Sequence, residues 1–436
     1  MLSRIGSVSG KNILLLQGPY GTFFKKLENF LRGNGACTYS VCLNAGDRFF
    51  SNKDNIIDYK GKKEAWVSFI KQILVDYKIH KIFLFGDCRY YQRAAIQEAN
   101  ELGIECFVFE EGYIRPDFIT LEKSGVNAFS SACRSRSFYD NMNLNDLISP
   151  KILSANIKYS RVVGQTIVYY ILMNVLKFRY PYYEHHLKTS CLKEAFYGIR
   201  NVLRKMRFKI SERNVAKQLQ TKFSKKYYFV PLQTHTDYQI RTHSNYDSME
   251  AFIKEVLFSF ARHAPKESFL IFKHHPMDRG RKNYARFIKK ISVNLGINDR
   301  VMAVHDVHLP TCLKNAVGTV TINSTVGLSS LYHKIPTIAL GSTLYDIEGL
   351  TCKGMRLNDF WNDYKAPDTL LYKKFRLYLI EKTQLNGSFY GCFPAELSVS
   401  STRTLTNLIA EYEKPNLDAE YGNNRIQPEL FTKTAA

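Results

Sequence analysis

Residues 81–112 read KIFLFGDCRYYQRAAIQEANELGIECFVFEEG. An apolar run (Lys81–Phe85) is followed by a glycine-bearing turn, a stretch with helical spacing (Tyr90–Leu102) and a second apolar run (Glu105–Phe109). Runs that are apolar throughout, rather than alternating, belong to strands buried on both faces, and a helix between two of them makes a parallel pair. The rhythm extends toward the N-terminus, where NILLL (12–16) and Ser40–Leu43 read as strands, with helical spacing through FFKKLENFL and over Glu64–Tyr77. It restarts after residue 226. YYFVPL (227–232), SFLIFK (268–273), VMAVH (301–305), GTVTIN (318–323) and PTIAL (336–340) read as strands, and Met249–Ala264 and Tyr284–Leu295 as helices. The expected fold class is therefore α/β, with two Rossmann-like domains facing a central cleft and a basic helical segment between them. The expected division is 1–150 for the first domain, 151–226 for the connecting segment, 227–400 for the second domain and 401–436 for a C-terminal helix and tail.

The chain has 436 residues, 45% of them hydrophobic, enough for two cores without disulfides or metals. Lys plus Arg number 61 against 39 Asp plus Glu, a net charge of +22 that implies an anionic partner. The charge is concentrated: residues 151–226 hold 17 Lys or Arg against 3 Glu and no Asp. The same stretch carries the aromatic clusters VVGQTIVYYILMNVLKFRYPYYEHH and KEAFYGIRNVLRKMRFK. Helical spacing sets Phe196, Ile199, Leu203 and Met206 on one face, with Arg200, Arg204, Lys205 and Arg207 around it. That pattern fits either an interfacial helix on anionic lipid or a charged helix bridging two domains. A nucleic-acid reading rests on net charge alone, without a recognised module, and no nucleic-acid partner is expected. Nine scattered cysteines contain no C-x-x-C pair and point to reduced thiols in a cytosolic protein. The apolar stretch from Val162 to Leu176 is shorter than the ~20 residues of a bilayer span.

GxxxxGK[ST], a GxGxxG following a strand, HExxH and GxSxG are all missing, so ATP, NAD, zinc-protease and serine-hydrolase readings lack their motifs. The polar groups at strand ends carry more information, because ligands of open α/β sheets sit beyond the carboxyl ends of the strands. In the first half these are Gln17, Gly18 and Gly21 after NILLL, Asp87 and Arg89 after KIFLF, and Glu110-Glu111-Gly112 after ECFVF. Adjacent carboxylates repel, which raises the pKa of one of them toward the range of proton transfer. In the second half the strand ends lead into Gln233 and Asp237, into Lys273, His275 and Pro276, and into Asn323-Ser324-Thr325 at a helix start. Hydroxyls and free N–H groups at such a start either cap the helix or bind phosphate.

An acidic pair followed by Gly in one half, with His-Pro in the other, resembles GT-B transferases that use CMP-activated acidic sugars. The longer strings LLLQGPYGTFF, LFGDCRYYQRAA, FEEGYIRPDFITLEKSGVN, FVPLQTHTDYQI, KHHPMDRG and NSTVGLSSLYHKIPT resemble the capsule polysaccharide biosynthesis and export family that includes the β-Kdo transferases. The likeness covers roughly residues 11–345 and extends to the branch that places the first β-Kdo on lyso-phosphatidylglycerol.

The resemblance implies a GT-B-like fold and a retaining transfer from CMP-β-Kdo to a (lyso)phosphatidylglycerol acceptor, with no cofactor and no metal. It carries the nucleophile onto Asp237 and the acid/base onto Glu111, with Glu110 as the alternative. The family's commoner Glu-Asp-Gly is Glu-Glu-Gly here. His275, expected cationic, would bind the CMP phosphate together with Pro276, Asn323, Ser324 and Thr325, with Gln233 on the donor side and Lys273 and Arg279 adding charge. Gln17, Gly18, Gly21, Asp87, Arg89 and Arg115 would line the cleft on the acceptor side. Expected partners are an anionic phospholipid surface, the lipid acceptor and other capsule assembly and export proteins. The expected location is the inner face of the bacterial inner membrane. A transferase of another CMP-sugar, of sialyltransferase type, and a non-catalytic capsule export component are the alternatives.

Overall fold

In the computed structural model, residues 1–143, 152–185 and 191–397 are described. Two sheets organise them. The first contains β1 (Asn12–Leu16), β2 (Cys37–Cys42), β3 (Ile56–Asp58), β4 (Lys81–Phe85), β5 (Glu105–Glu111), β6 (Phe118–Lys123) and β12 (Gln384–Asn386), in the order β12-β6-β5-β4-β1-β2-β3. The second contains β7 (Tyr227–Pro231), β8 (Phe269–Lys273), β9 (Val301–Val304), β10 (Gly318–Thr321) and β11 (Thr337–Ala339), in the order β11-β10-β7-β8-β9. Every pair in the second sheet is parallel, as are β1 through β5 of the first. Both are doubly wound: the strand order reverses between β1 and β4 in one sheet and between β7 and β10 in the other. Ligand crevices form at such reversals.

The fully apolar strands owe their burial to helices on both faces. Val41, Leu84 and Val108 pack toward Trp66, Ile70 and Ala95 on one side of the first sheet. Ile13, Leu15, Phe83 and Phe107 pack toward Phe23, Leu27 and Leu31 on the other. In the second sheet Val230, Leu270, Phe272 and Val320 meet Phe252, Val256 and Phe260.

One part of the expected division differs from the structure. The chain does not stay with the second sheet to residue 400, because β12 returns to pair antiparallel with β6 of the first. Gln384 fixes that return: its side-chain oxygen accepts from Tyr113 N at 2.9 Å and its amide donates to Thr120 Oγ1 at 3.0 Å. The 401–436 segment lies outside the described residues. The connecting segment forms helices Tyr159–Val175, Cys191–Ser211 and Val215–Gln220. Among the described residues no helix is long and apolar enough to cross a membrane.

Candidate active-site cleft

At the reversal of the first sheet, β1 delivers Gln17 and β4 delivers Asp87. Gln17 adopts φ 39°, is buried, and is held from both sides: its amide donates to Tyr183 Oη at 2.9 Å and its oxygen accepts from Gln92 at 2.9 Å. A Cβ on Gly18 would stand 2.4 Å from the Phe24 ring, so any side chain there would have to displace that ring. Asp87 accepts from Val126 N at 2.8 Å and from the Cys88 thiol at 3.1 Å, and burial pushes its carboxyl up. Arg89 opens helix Tyr90–Glu101, its guanidinium 5.8 Å from the centre of the Phe85 ring.

β5 continues through both glutamates, paired with Thr120 and Ile119 of β6, so they do not form a loop. Successive strand residues face opposite sides. Glu110 therefore shares the side of Cys106 and Val108, and Glu111 that of Phe107 and Phe109. Glu110 is partly buried and its carboxyl rises to about 7, first through burial and then through the neighbouring charges of Glu111 and Asp87. Glu111 is exposed. Of the pair, Glu110 is the one that burial brings into the proton-transfer range. Arg115, exposed, donates to Gly112 O at 3.1 Å.

Across the cleft, Gln233 of the β7 loop is buried and its amide is shared between Asp237 Oδ2 at 3.0 Å and Asn323 Oδ1 at 2.9 Å. This binds the loops of β7 and β10, the two strands flanking the second reversal. Asp237 caps helix Tyr238–His243, its Oδ1 accepting from Gln239 N at 2.9 Å; burial raises its pKa while the Gln233 and Gln239 donors oppose the rise. Ser324 Oγ accepts from Val326 N at 3.2 Å, a capping bond, whereas Thr325 makes no side-chain cap.

His275 differs from the cationic expectation. Burial, with Lys273 and Arg115 contributing, holds it down at about 4, and its Nδ1 accepts from Met277 N at 3.2 Å. A neutral ring accepting at Nδ1 carries its proton on Nε2, as a donor. Pro276 begins the short helix that this bond caps. The charges expected beside it are engaged elsewhere. Lys273 Nζ donates to His305 O at 3.3 Å, and buried Arg279 pairs with Asp306 at 2.7 Å.

Cys88, beside Asp87, joins the halves. Its sulfur accepts from Gln239 Nε2 at 3.4 Å and lies 3.7 Å from His243 Nε2, on the helix that Asp237 caps. The Phe129 ring meets His243 edge-on with centroids 4.4 Å apart. The two crevices are thus held opposite one another. Sequence reasoning placed no role on Cys88 or His243, because the contacts by which they join the halves come from residues far apart in the chain. Among the described residues no group of three or more His, Cys, Asp or Glu is gathered to hold a metal ion.

Residues 80–390 match the capsule polysaccharide biosynthesis protein family. The Escherichia coli capsule polysaccharide export protein KpsS is 40% identical over 383 residues, covering 88% of this chain and 98% of its own. The Neisseria meningitidis serogroup A capsule polysaccharide modification protein LipB is 38% identical over 410 residues, covering 91% and 96%. Among solved structures, the β-Kdo 2,7 transferase of Thermosulfurimonas dismutans KpsC aligns with a TM-score of 0.41 and 14% identity over 92% of this chain and 100% of that one. With one family matched over most of its length and relatives aligned nearly end to end, the chain belongs to the capsule polysaccharide biosynthesis protein family.

Proposed function

We propose that the protein is a retaining glycosyltransferase that moves Kdo from CMP-β-Kdo to a (lyso)phosphatidylglycerol acceptor, starting the glycolipid on which a capsule is built. The observation that carries this reading is the cleft itself: Glu110 at the end of β5 and the Asp237 carboxylate held by Gln233 and Gln239 N, on crevices joined through Cys88. Retention follows from two inversions. The Asp237 carboxylate attacks the anomeric carbon, the bond to the phosphate oxygen breaks, and CMP leaves with the electron pair. The acceptor hydroxyl then attacks the same carbon, gives its proton to Glu110 and displaces Asp237.

Asp237 is suited to the first step because Gln233 and the Gln239 N–H hold it in one orientation. Nε2–H of His275 donates to the leaving phosphate, with Thr325, Ser324 and the positive charge of Arg115 beside it; this arrangement asks for no divalent ion. Cytoplasmic attachment to an anionic phospholipid surface completes the proposal, since the acceptor is a membrane lipid.

Mass spectrometry of a reaction with CMP-Kdo and lyso-phosphatidylglycerol tests it. Wild type adds one Kdo to the lipid and Asp237→Ala adds none, while a Kdo adduct on Asp237 accumulates when acceptor is withheld. Transfer surviving in Asp237→Ala would replace the double displacement with a single inversion. Intact donor in the presence of folded wild-type protein would exclude the reaction.

A further inference from the structure

The loops that carry Asp237 and His275 are tied together by a pair of residues that the two displacements do not use. Asp278, in the short helix begun by Pro276, is 1% exposed. Both of its oxygens accept from one residue of the β7 loop: Oδ2 from His235 N at 2.8 Å and Oδ1 from His235 Nδ1 at 2.7 Å. A carboxylate oxygen accepts, so Nδ1 carries a proton and the ring is held about that bond. The other ring nitrogen is open. Among the described residues Nε2 makes no hydrogen bond, and the His235 side chain is 29% exposed, within reach of a ligand.

The chemistry of the donor says what such a nitrogen would meet. Besides its phosphate, the sugar of CMP-Kdo carries a carboxylate on the anomeric carbon itself, the atom that Asp237 attacks. Two carboxylates brought that close repel, so the attack needs a donor of positive character beside them. The cations of the neighbouring loop are engaged, Lys273 on His305 O and Arg279 on Asp306, and His275 is assigned to the phosphate. His235 lies two residues before Asp237, in a turn closed by Asp237 N donating to Thr234 O at 3.0 Å. It is therefore carried by the same turn as the nucleophile, and its ring is oriented by a carboxylate that cannot itself touch substrate.

We propose that His235 recognises the carboxylate of the donor sugar: protonated Nε2 donates to it, and Asp278 balances the charge this places on the ring. The inference rests on CMP-Kdo being the donor. His235 then sets the preference for an acidic over a neutral sugar, because a neutral sugar gives Nε2 no anion. Asp278 acts through His235 and is a positioning residue.

Equilibrium titration of the full chain with CMP and with CMP-Kdo tests this, in an Asp237→Asn background that blocks adduct formation. CMP has the phosphate and lacks the sugar carboxylate. His235→Gln weakens CMP-Kdo by roughly 10–100-fold, the worth of a charge-assisted hydrogen bond, and leaves CMP within about twofold. Asp278→Asn, which keeps an oxygen for the His235 N–H and removes the balancing charge, shifts the same ligand in the same direction. A purely structural clasp predicts otherwise: loosening the His275 loop would weaken both ligands alike. Equal loss of CMP and CMP-Kdo, or unchanged CMP-Kdo binding in a folded His235→Gln protein, would overturn the assignment. Failure of the donor reading looks different. The protein with His235 intact would then bind no CMP-Kdo at all, and the assignment would fall with that reading.

Discussion

Glu110 and Glu111 are one position apart in sequence and a sheet face apart in space. The acidic pair itself was legible in the sequence, but the assignment between its members was not. That choice depends on β6 pairing with both glutamates and extending the strand, a non-local fact that two polar residues after an apolar run do not announce. The assignment predicts a pH profile. A base with a pKa of about 7 is inactive when protonated, so kcat/KM rises as pH passes upward through about 7. Glu110→Gln abolishes that limb and lowers the rate by roughly 10²–10⁴-fold, whereas Glu111→Gln retains the limb. A rate profile in which Glu111→Gln alone removes the limb would reverse the assignment. His275, held at about 4, contributes no change near pH 6.5 in the free enzyme. Asp237 gives a cleaner separation of chemistry from folding. Asn caps helices as well as Asp does, so Asp237→Asn keeps its melting temperature to within a few degrees while losing the Kdo adduct. A large fall in melting temperature would make Asp237 a structural cap first.

The basic segment shows what a helical period can and cannot reveal. The face that spacing assembles along helix Cys191–Ser211 is exposed: Phe196, Ile199, Leu203 and Met206, joined by Val202 and Ile210, are 57–69% exposed. The arginines beside it are not equivalent, and periodicity gave no sign of this. Arg200 donates to the carbonyls of Gly280 and Arg281, and Arg204 donates to Arg279 O at 2.8 Å, so both brace the loop that follows His275-Pro276 instead of facing outward. Glu212, just past the helix, fastens the same region by accepting from His305 N at 3.0 Å and Asp306 N at 2.8 Å. Two variants therefore part company. Leu203→Ser with Met206→Ser lowers sedimentation with anionic vesicles and leaves thermal melting unchanged. Arg200→Ala with Arg204→Ala frees three loop carbonyls and lowers stability by about 1–3 kcal/mol. Unchanged vesicle binding in the serine variant would remove the helix from the lipid surface. Some strands escaped sequence reading for a related reason: β3 and β12 have three residues each, too short to show a period, β6 interrupts its apolar residues with Thr120 and Glu122, and pairing partners make them strands.

At the scale of the whole molecule, the two halves are not independent beads. Tyr113, Tyr139 and Met142 from the first half share one buried cluster with Leu328, Leu331, Tyr345 and Tyr378 from the second. The return of the chain at β12 tightens this further. Leu385, Phe389 and Phe393 enter the core beneath β1, β4 and β5, with the Phe23 ring 4.9 Å from Phe389 and 5.3 Å from Phe393, centre to centre. At the N-terminal edge Arg4 donates to Ile380 O at 2.7 Å and to Glu381 O at 2.6 Å. Burying three such side chains contributes roughly 5–9 kcal/mol at 1.5–3 kcal/mol each, comparable with the whole margin of a typical domain, about 5–15 kcal/mol. A fragment of residues 1–226 contains every parallel strand of the first sheet and yet lacks that contribution, the edge strand and the Gln384 bonds. It is expected to show no cooperative thermal transition and to bind a hydrophobic dye, while the full chain melts in one step. In the full chain, Leu385→Asp places an unpaired carboxylate in the same core and lowers the melting temperature by many degrees. A fragment that unfolds cooperatively at the temperature of the full chain would show that the first half holds its sheet unaided, and that the returning strand serves to orient the cleft instead of building the domain.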